Sequence, residues 1–275
     1  MSEKLLIFIP CYNCGTQVAR VLHQFEKLDG GWFSEILVLD NGSKDNTIQS
    51  AIEASKSVSN IDITIARNRE NYNLGGSHKA AFRHASDRGF THVVVLHGDD
   101  QGDIRDLIRF LKTDKYKSLD ACLGARFMKG SKLIGYSKFR IFGNHVFNTL
   151  FTMGTGNAVN DLGSGLNMFG RQVFEDPRIL FYADDLRFNI YLLLGLFSRK
   201  FKVKYFPISW REEDQVSNVK MTSQALKTVD LLLSSIFNRK EFNQADHRDV
   251  KYSSYQFDVV YAALATPGHV KQGGQ

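Results

Sequence analysis

The segment His92-Val93-Val94-Val95-Leu96-His97-Gly98-Asp99-Asp100-Gln101 joins an apolar run to a cluster of polar side chains. Its apolar residues predict a short strand that is buried on both faces, as in a mostly parallel sheet. Alternate residues of an extended chain point to one side, so His97, Asp99 and Gln101 are predicted to share a face where the strand ends. Open α/β sheets bind their ligands at that edge. The segment therefore indicates an α/β fold and the position of its site.

Short apolar runs alternate with longer amphipathic stretches on both sides of this segment, which is typical of a Rossmann-like sheet with flanking helices. In the first half, strands are predicted at Leu5–Pro10, Glu35–Asp40, Ile61–Ala66 and His92–His97, with helices at Gln17–Leu28, Thr47–Ser57, Ser77–Arg88 and Ile104–Leu111. In the second half, helices are predicted at Ser137–Met153, Asp185–Phe197 and Thr222–Phe237, and strands at Leu166–Gly170 and Lys202–Ile208. The last helix is expected to form a C-terminal helical appendage.

The composition is that of a soluble globular protein: 275 residues, 43% of them hydrophobic and 23% charged. The net charge of +6 favours anionic partners such as phosphates, acidic membrane surfaces or nucleic acid. Three sparse cysteines argue against a disulfide scaffold and favour a reducing compartment. The longest apolar run, Ile190–Phe197, is too short for a membrane span. We therefore expect a cytoplasmic protein.

A set of oxygen ligands with one imidazole, His97, Asp99 and Gln101, suits Mg²⁺ or Mn²⁺ that bridges substrate phosphates. The alternative is that these residues only make the turn into the next helix. That alternative fits Asp103 better, because it stands directly before the helix and has Asp106 three residues later, as an N-cap would. Gly98, between the two metal candidates, is assigned to the ligand-binding set.

Other candidate ligand-binding residues follow the first three strands. Pro10, Tyr12 and Asn13 end the first strand, and Asp40 ends the second, where a carboxylate can accept hydrogen bonds from a base or ribose. Ser43, Asp45 and Thr47 fit the simpler role of turn and helix cap. The stretch Asn71–Ser77 includes Asn73 and Gly75, and its glycines would allow backbone to approach a phosphate or ribose. Lys79, just inside the next helix, is either solvated or in contact with the ligand.

Together these motifs resemble the inverting glycosyltransferase family 2 of the GT-A fold, and most closely its dolichyl- or polyprenyl-phosphate sugar synthases. The resemblance rests on the order Pro10-x-Tyr12-Asn13, Asp40-x-Gly42-Ser43-x-Asp45-x-Thr47, Asn73-x-Gly75 and the acidic strand end. It continues through Gly124-Ala125-Arg126-Phe127, Arg140, Asp161–Gly165, Trp210–Glu213 and Ser217–Lys220, so it covers about residues 4 to 235. It implies a nucleotide-sugar-binding half at 1–115, an acceptor-binding half at 116–235 and a polar tail at 236–275.

The resemblance also implies roles for individual residues. Pro10, Tyr12, Asn13 and Asp40 would hold the nucleoside of a UDP- or GDP-sugar, and Asp99 with Gln101 would hold the metal. Arg126, Arg140, Arg211 and Lys220 would gather the anionic groups of donor diphosphate and acceptor phosphate. The chain departs from the family pattern at His97, where an aspartate is common, and at Cys14, where a glutamate is common.

The acceptor is left open between a polyprenyl phosphate, which is already anionic, and a hydroxyl on a polysaccharide, protein or nucleic acid. A hydroxyl needs a carboxylate base, for which Asp161, Asp184 and Asp185 are candidates. Asp184 and Asp185 equally suit the N-terminus of the helix that follows. No nucleic-acid-binding motif is present, so a nucleic-acid acceptor is disfavoured.

Parts of the sequence also suit two other classes of protein and a membrane contact. Cys11-x-x-Cys14 between a strand and a helix would suit a thiol–disulfide redox protein, but the downstream carboxylates and arginines would then have no role. A binding module with a degenerate site would explain His97. An apolar stripe at helical spacing, flanked by Lys132, Lys138 and Arg140, suits either a core face or peripheral membrane contact; it consists of Phe139, Ile141, Phe142, Val146, Phe147, Leu150 and Phe151.

Overall fold

An eight-stranded sheet organises the computed structural model, which describes residues 3–28, 31–212 and 221–265. The strands are β1 Leu5–Cys11, β2 Glu35–Asp40, β3 Asp62–Asn68, β4 His92–Leu96, β5 Ala121–Ala125, β6 Lys132–Ile134, β7 Leu166–Gly170, β8 Val203–Pro207, β9 Ser209–Arg211 and β10 Phe257–Ala263. The α-helices are α1 Gly15–His23, α2 Thr47–Ser55, α3 Asn73–Asp87, α4 Ile104–Leu111, α5 Lys138–Thr155, α6 Arg171–Phe174, α7 Phe188–Ser198, α8 Met221–Phe237 and α9 Arg239–Gln244. Short 3₁₀ helices lie at Lys115–Ser118 and Pro177–Phe181.

The strand order is β10-β3-β2-β1-β4-β7-β5-β8. The neighbours β3, β2, β1 and β4 are parallel, whereas β10 and β7 run antiparallel to their partners. A second, two-stranded sheet pairs β6 with β9. The carboxyl ends of β1, β2 and β4 thus lie side by side, at the edge where the sequence predicts the site.

Helices cover both faces of the sheet because its central strands are apolar on both sides. In β1, Leu6 and Phe8 face the core that includes α3 and α7, while Ile7 and Ile9 face the core that includes α1 and α4. The buried residues of α4 repeat at the spacing of one helical face, Ile104, Leu107, Ile108 and Leu111. Asp103 caps this helix by accepting a hydrogen bond from the backbone of Arg105 at 2.9 Å, which confirms its predicted role.

Most predicted elements are present, with ends that differ by a few residues. β4 ends at Leu96, before His97, and a turn with Asp100 at φ 58° follows. His97, Asp99 and Gln101 therefore all follow the strand, so the strand alternation predicted for them is not formed. The helix expected from Asp185 begins at Phe188.

The region predicted as a polar tail from residue 236 needs correction. It contains α9 and then β10, which pairs antiparallel with β3 at one edge of the main sheet. Tyr255, just before β10, is buried. Apart from Asp258 the residues of β10 are apolar, but the strand is short, none of its residues is buried, and a polar stretch precedes it, so the sequence predicts a tail. Residues 266–275 of the predicted tail lie outside the described residues.

Candidate active site

A cavity of about 550 Å³ opens at the carboxyl ends of β1, β2 and β4. Its volume is within the range of small-molecule and cofactor sites. Residues from five separate segments line it: Pro10, Cys11, Tyr12, Cys14, Asn41, Asn71, Asn73, Leu74, Ser77, His97, Gly98, Asp99, Asp185 and Leu186. The structure therefore brings together seven of the predicted site residues: Pro10, Tyr12, Asn73, His97, Gly98, Asp99 and Asp185.

Gly98 is required by the close approach of two strand ends. A Cβ atom at this position would lie 2.5 Å from the Cys11 sulfur and 3.0 Å from the Pro10 carbonyl oxygen, to which the Gly98 amide donates a hydrogen bond. Only glycine fits there without a shift of the β1 end. The result is that Asp99 is held at the cavity wall directly beside the residues that follow β1.

Burial shifts the two acid–base groups of this segment in opposite directions. It raises the pKa of Asp99 to about 6, and it lowers the pKa of His97 to about 4, with the charge of Arg126 as the second cause. In each case the neutral form is favoured because a charged group loses its hydration. At neutral pH, His97 is thus a neutral imidazole, the form that ligates metals, and Asp99 is mostly ionised.

The site fits a divalent ion only if the ligand supplies part of the coordination shell. Within residues 3–28, 31–212 and 221–265, no group of three or more His, Cys, Asp or Glu side chains is placed to hold a metal. His97 Nδ1 and Asp99 Oδ2 are 4.0 Å apart and both line the cavity. Such a pair suits Mg²⁺ or Mn²⁺, which commonly take one or two protein ligands together with substrate phosphates. Gln101 does not line the cavity. Its backbone amide nitrogen donates a hydrogen bond to Asp99 Oδ1 at 3.3 Å.

Asp100 does not face the cavity, because basic residues hold it on the other side of the turn. Its carboxylate pairs with Arg20 at 2.7 Å and with Arg211 at 2.8 Å. The Arg211 amide also donates to the Gln101 carbonyl at 3.0 Å. Arg211, which the sequence predicts to bind phosphates, therefore lies beside the segment that carries Asp99, and its guanidinium is paired with the Asp100 carboxylate.

The other predicted phosphate ligands are also paired with acids. Arg126 makes a two-pronged contact with the buried Asp161, with Nε 2.8 Å from Oδ2 and a terminal nitrogen 2.8 Å from Oδ1. Arg140, in the first turn of α5, pairs with Glu212. Asp161 is thus a partner of Arg126 and is closed off from the cavity. Lys220 lies outside the described residues.

Two predicted nucleoside ligands have structural partners instead. The Asp40 carboxylate is fully buried and accepts hydrogen bonds from the Ser43 amide and from Arg67 Nε at 3.0 Å. Asn13 has a φ of 51°. Its side-chain oxygen accepts a hydrogen bond from the Lys44 backbone amide at 2.8 Å, and its backbone amide donates to the Ser43 hydroxyl. Both residues lie outside the cavity lining and join the loop after β1 to the loop after β2.

Lys79 and Gly75 also need correction as ligand-binding residues. The Lys79 ammonium is completely buried, 2.6 Å from Asp184 Oδ1 and 2.6 Å from the Tyr182 carbonyl oxygen. Gly75 packs against the same turn, where an added Cβ would lie 2.6 Å from the Ala183 carbonyl oxygen. Both residues attach α3 to the segment 182–184, and neither reaches the cavity.

The same contacts separate the two neighbouring aspartates. Asp184 is buried and neutralised by Lys79, whereas Asp185 lines the cavity and accepts hydrogen bonds from Arg187 at 2.8 and 2.9 Å. The sequence offers these two and Asp161 as candidates for a catalytic carboxylate, with the helix N-terminus as the alternative role for Asp184 and Asp185. Of the three, the structure places only Asp185 at the cavity.

Sequence reasoning missed a network of amides on the cavity wall. The Asn41 side chain donates to Asn71 at 2.8 Å and accepts from Asn68 at 2.9 Å, and Asn68 also donates to Ser77. The available signal was position, because these residues follow β2, end β3 or begin α3. Their roles in turns concealed it.

Cys11 and Cys14 line the cavity as well, and all three cysteines are buried and free. A hydrogen bond between Cys14 and Cys11, together with burial, raises the pKa of the Cys11 thiol well above its usual range. Thiol–disulfide exchange requires an accessible thiolate. The redox interpretation therefore gains no support.

Among the described residues, no helix has both the length and the apolar character to cross a membrane.

Polyprenol monophosphomannose synthase of Mycolicibacterium smegmatis is 24% identical to this chain over 221 residues, which are 78% of this chain and 79% of that protein. Undecaprenyl-phosphate 4-deoxy-4-formamido-L-arabinose transferase of Salmonella choleraesuis is 26% identical over 178 residues, 63% of this chain. The chain spans 50% of that second relative's length.

Solved structures share the fold. Glucosyl-3-phosphoglycerate synthase from Mycobacterium tuberculosis in complex with UDP aligns with a TM-score of 0.59 at 16% identity, over 85% of this chain and 80% of that one. The same synthase with Mn²⁺, UDP-glucose and glycerol 3-phosphate aligns with a TM-score of 0.58 at 16% identity, over 86% and 81% of the two chains. The model of the glycosyl transferase family 2 matches residues 6–177. With its mostly parallel sheet and a cavity where the strands end, the chain belongs to glycosyl transferase family 2 and is a glycosyltransferase of the GT-A fold.

Proposed function

We propose that this glycosyltransferase moves a sugar from a UDP- or GDP-sugar to a polyprenyl phosphate, with inversion and with the help of Mg²⁺ or Mn²⁺. The observation that carries the proposal is the cavity of about 550 Å³ that joins Asp99 to the amide network after β2 and β3. The acceptor follows from the two relatives, whose names specify a polyprenol and an undecaprenyl phosphate.

The donor would bind with its nucleoside toward the asparagines and its diphosphate toward Asp99. Asn41 and Asn71 offer amide groups that can donate to or accept from a base or ribose. Tyr12 is half exposed at the cavity mouth and offers a ring face for stacking. Pro10 and Gly98 line the same cavity and would contact the donor.

Asp99 and His97 would hold the divalent ion, whose charge would offset the negative charge that develops on the departing nucleoside diphosphate. The Gln101 amide fixes the Asp99 carboxylate from behind. The proximity of Arg126 favours the ionised form of Asp99 and adds positive charge on the same side.

Each predicted arginine forms an ion pair with a carboxylate: Arg211 with Asp100, Arg126 with Asp161, and Arg140 with Glu212. To bind phosphate, an arginine would either contact both acids at once or leave the carboxylate for the phosphate. A guanidinium has five N–H donors, so a two-pronged contact with one acid still leaves donors for a phosphate. Among the basic residues that the sequence predicts to bind phosphates, we assign Arg140 and Lys220 to the acceptor phosphate.

A phosphate acceptor is already anionic and attacks the anomeric carbon without a general base, from the side opposite the departing diphosphate. Asp185 would then contact hydroxyl groups of the transferred sugar. A second function is favoured by the same residue: if the acceptor is a hydroxyl, Asp185 is the carboxylate at the cavity that can take its proton.

The exposed apolar face of α5 and α8 supports access to a lipid-linked acceptor. The stripe predicted on α5 divides: Phe151 is buried, while its other side is exposed together with apolar residues of α8, which packs against it. The exposed residues are Phe139, Phe142, Val146, Leu150 and Met153 on α5 and Leu226, Leu233, Ile236 and Phe237 on α8. Helix α5 has no acidic residue, and Lys138 and Arg140 lie in its first turn. Such a face fits an anionic lipid surface.

Sedimentation with liposomes tests this face. The chain should bind vesicles that contain phosphatidylglycerol, and the double change Phe139→Ser and Phe142→Ser should reduce binding about tenfold or more, since each exposed phenylalanine contributes one to two kcal/mol on burial. Leu264→Ser is the matched control, because Leu264 is equally exposed but lies beyond β10. Equal binding of the double variant and the control would exclude this face as the contact.

A panel of nucleotide sugars tests the function itself. Each UDP- and GDP-sugar is incubated with Mn²⁺ or Mg²⁺ and either a polyprenyl phosphate or an oligosaccharide, and the anomeric configuration of the product is determined. We expect transfer to the polyprenyl phosphate with inversion. Transfer to the oligosaccharide alone would favour the second function, and retention of configuration would contradict both.

A further inference from the structure

The chain between α9 and β10, residues 245–256, lies against the wall of the cavity that carries Asp185. We call it the C-terminal strap. The matched family region ends at residue 177, so the strap lies outside it. Its Tyr252 and Tyr255 rings pack on Tyr72, with ring centroids 4.8 and 5.3 Å away. Tyr72 directly precedes α3, whose first residues line the cavity.

Tyr255 completes a buried hydrogen-bonded group around Asp184. Its hydroxyl oxygen is 3.1 Å from Asp184 Oδ2 and 3.3 Å from Lys79 Nζ. The ammonium of Lys79 has three N–H donors, and three oxygens surround it: Asp184 Oδ1, the Tyr182 carbonyl oxygen and the Tyr255 hydroxyl. Both carboxylate oxygens of Asp184 therefore have a donor, and one of these donors comes from the strap.

The backbone of the same turn is fixed too, because the Gly75 amide donates to the Asp184 carbonyl oxygen at 2.5 Å. On the far side of Asp185, Arg187 contacts Asp185 and reaches Asp249 of the strap at 2.6 Å. Asp185 thus stands between two anchors, Tyr255 on one side and Asp249 on the other. A rigid support of this kind is what a residue that must meet a substrate accurately requires.

We propose that the C-terminal strap positions the Asp185 carboxylate against the sugar of the bound donor, with Tyr255 as the positioning residue. This inference rests on the proposed function, in which Asp185 contacts the transferred sugar. In the proposed function the nucleoside is held by Asn41 and Asn71. The Tyr255 hydroxyl contacts Asp184 and Lys79, so its loss should affect recognition of the sugar and leave recognition of the nucleotide unchanged.

The test compares the dissociation constants of a nucleoside diphosphate and its nucleotide sugar, using the donor that the panel identifies. The dissociation constant of the nucleoside diphosphate divided by that of the nucleotide sugar measures the contribution of the sugar to binding. Tyr255→Phe removes the hydroxyl and keeps the ring, so we expect the ratio and the turnover number to fall about tenfold, as for one lost hydrogen bond to a charged group. The affinity for the nucleoside diphosphate should stay within about twofold. Tyr252→Phe, which keeps the ring contacts of the neighbouring tyrosine, should behave as the wild type.

A double-mutant cycle with Asp185→Asn shows whether Tyr255 acts through Asp185. If it does, adding Tyr255→Phe to Asp185→Asn changes the ratio no further. Asp249→Asn removes the charge that holds Arg187 beside Asp185. It should lower the ratio as well, and it provides a test if Tyr255→Phe is unstable. The inference is overturned if neither strap variant changes the ratio, if the effects of Tyr255→Phe and Asp185→Asn multiply, or if nucleoside diphosphate affinity falls equally. Absence of any donor for the wild type would instead contradict the proposed function.

Discussion

At the scale of single residues, Asp99 and His97 show how one buried segment prepares two groups for one ion. Burial raises the pKa of Asp99 to about 6 and lowers the pKa of His97 to about 4. Between pH 5 and 7 the imidazole therefore stays neutral while the carboxylate changes its charge. A metal ion that binds Asp99 must displace a proton at the lower end of this range.

This difference predicts that Mn²⁺ affinity falls about tenfold from pH 7 to pH 5, because only about a tenth of an acid with a pKa near 6 is ionised at pH 5. Electron paramagnetic resonance of free Mn²⁺, in the absence of nucleotide, measures it. Asp103→Asn should show the same pH dependence, since asparagine caps a helix as well as aspartate does. An affinity that is constant over this range would show that Asp99 does not titrate there or does not bind the ion.

The sequence could predict residues whose roles depend on their own segment, but not those whose roles depend on distant partners. Position alone predicts Asp103 as a cap, and it predicts that Gly98 lies where the structure has the cavity. The sequence leaves Lys79 either solvated or in contact with the ligand, because nothing nearby indicates Asp184, which is 105 residues away. For the same reason Asp161 was read as a candidate base, although Arg126 neutralises it.

At the scale of elements, the approach of α3 to the segment 182–184 depends on a glycine within the helix. A Cβ at Gly75 would lie 2.6 Å from the Ala183 carbonyl oxygen and 2.7 Å from Phe188 Cβ. These atoms belong to backbone and to the root of a buried side chain, so they cannot turn away. The start of α3 is part of the cavity wall, and its position therefore depends on this contact.

Gly75→Ala should lower the free energy of unfolding by about 1–3 kcal/mol, the usual cost of overpacking. Gly143→Ala is the control in another helix: a Cβ there meets nothing within 4 Å, so the change should be neutral or stabilise by up to about 1 kcal/mol. Urea denaturation measures both. If Gly75→Ala were as stable as Gly143→Ala, the close packing of α3 would not constrain the fold.

Element prediction succeeded where a segment is uniformly buried and failed where it is only partly so. β2 is buried at every residue, and its limits Glu35–Asp40 were predicted without error. β10 has three exposed residues in a row, Asp258, Val259 and Val260, and it is a strand because β3 offers a free edge. No local pattern reports that edge, so the strand was read as tail.

At the scale of the whole molecule, the ion pair of Lys79 and Asp184 joins the first half of the chain to the second. Burial lowers the pKa of Lys79 to about 8, and the charge and hydrogen bond of Asp184 oppose that shift. Each charge depends on the other because neither has access to water. The pair also ties in the C-terminal strap through Tyr255.

Lys79→Met should therefore lower the free energy of unfolding by about 3–5 kcal/mol, since it leaves the buried Asp184 without a cation. Adding Asp184→Asn should restore part of this loss. Arg69→Gln is the control: its pair with Asp258 also joins distant parts of the chain but is more than half exposed, so the cost should be below about 1 kcal/mol. Similar losses for both single variants in denaturant titrations would show that burial does not decide the strength of these pairs.

The central claim is that Asp99 supports metal-dependent transfer from a nucleotide sugar, and Asp99→Asn tests it most directly. Transfer to a polyprenyl phosphate is measured with Mn²⁺ and with excess chelator, for the wild type, Asp99→Asn and the control Asp103→Asn. We expect the chelator and Asp99→Asn each to reduce transfer by about a hundredfold or more, with Asp103→Asn at wild-type activity and all three proteins folded. Full activity of folded Asp99→Asn, or of the wild type in chelator, would contradict the account.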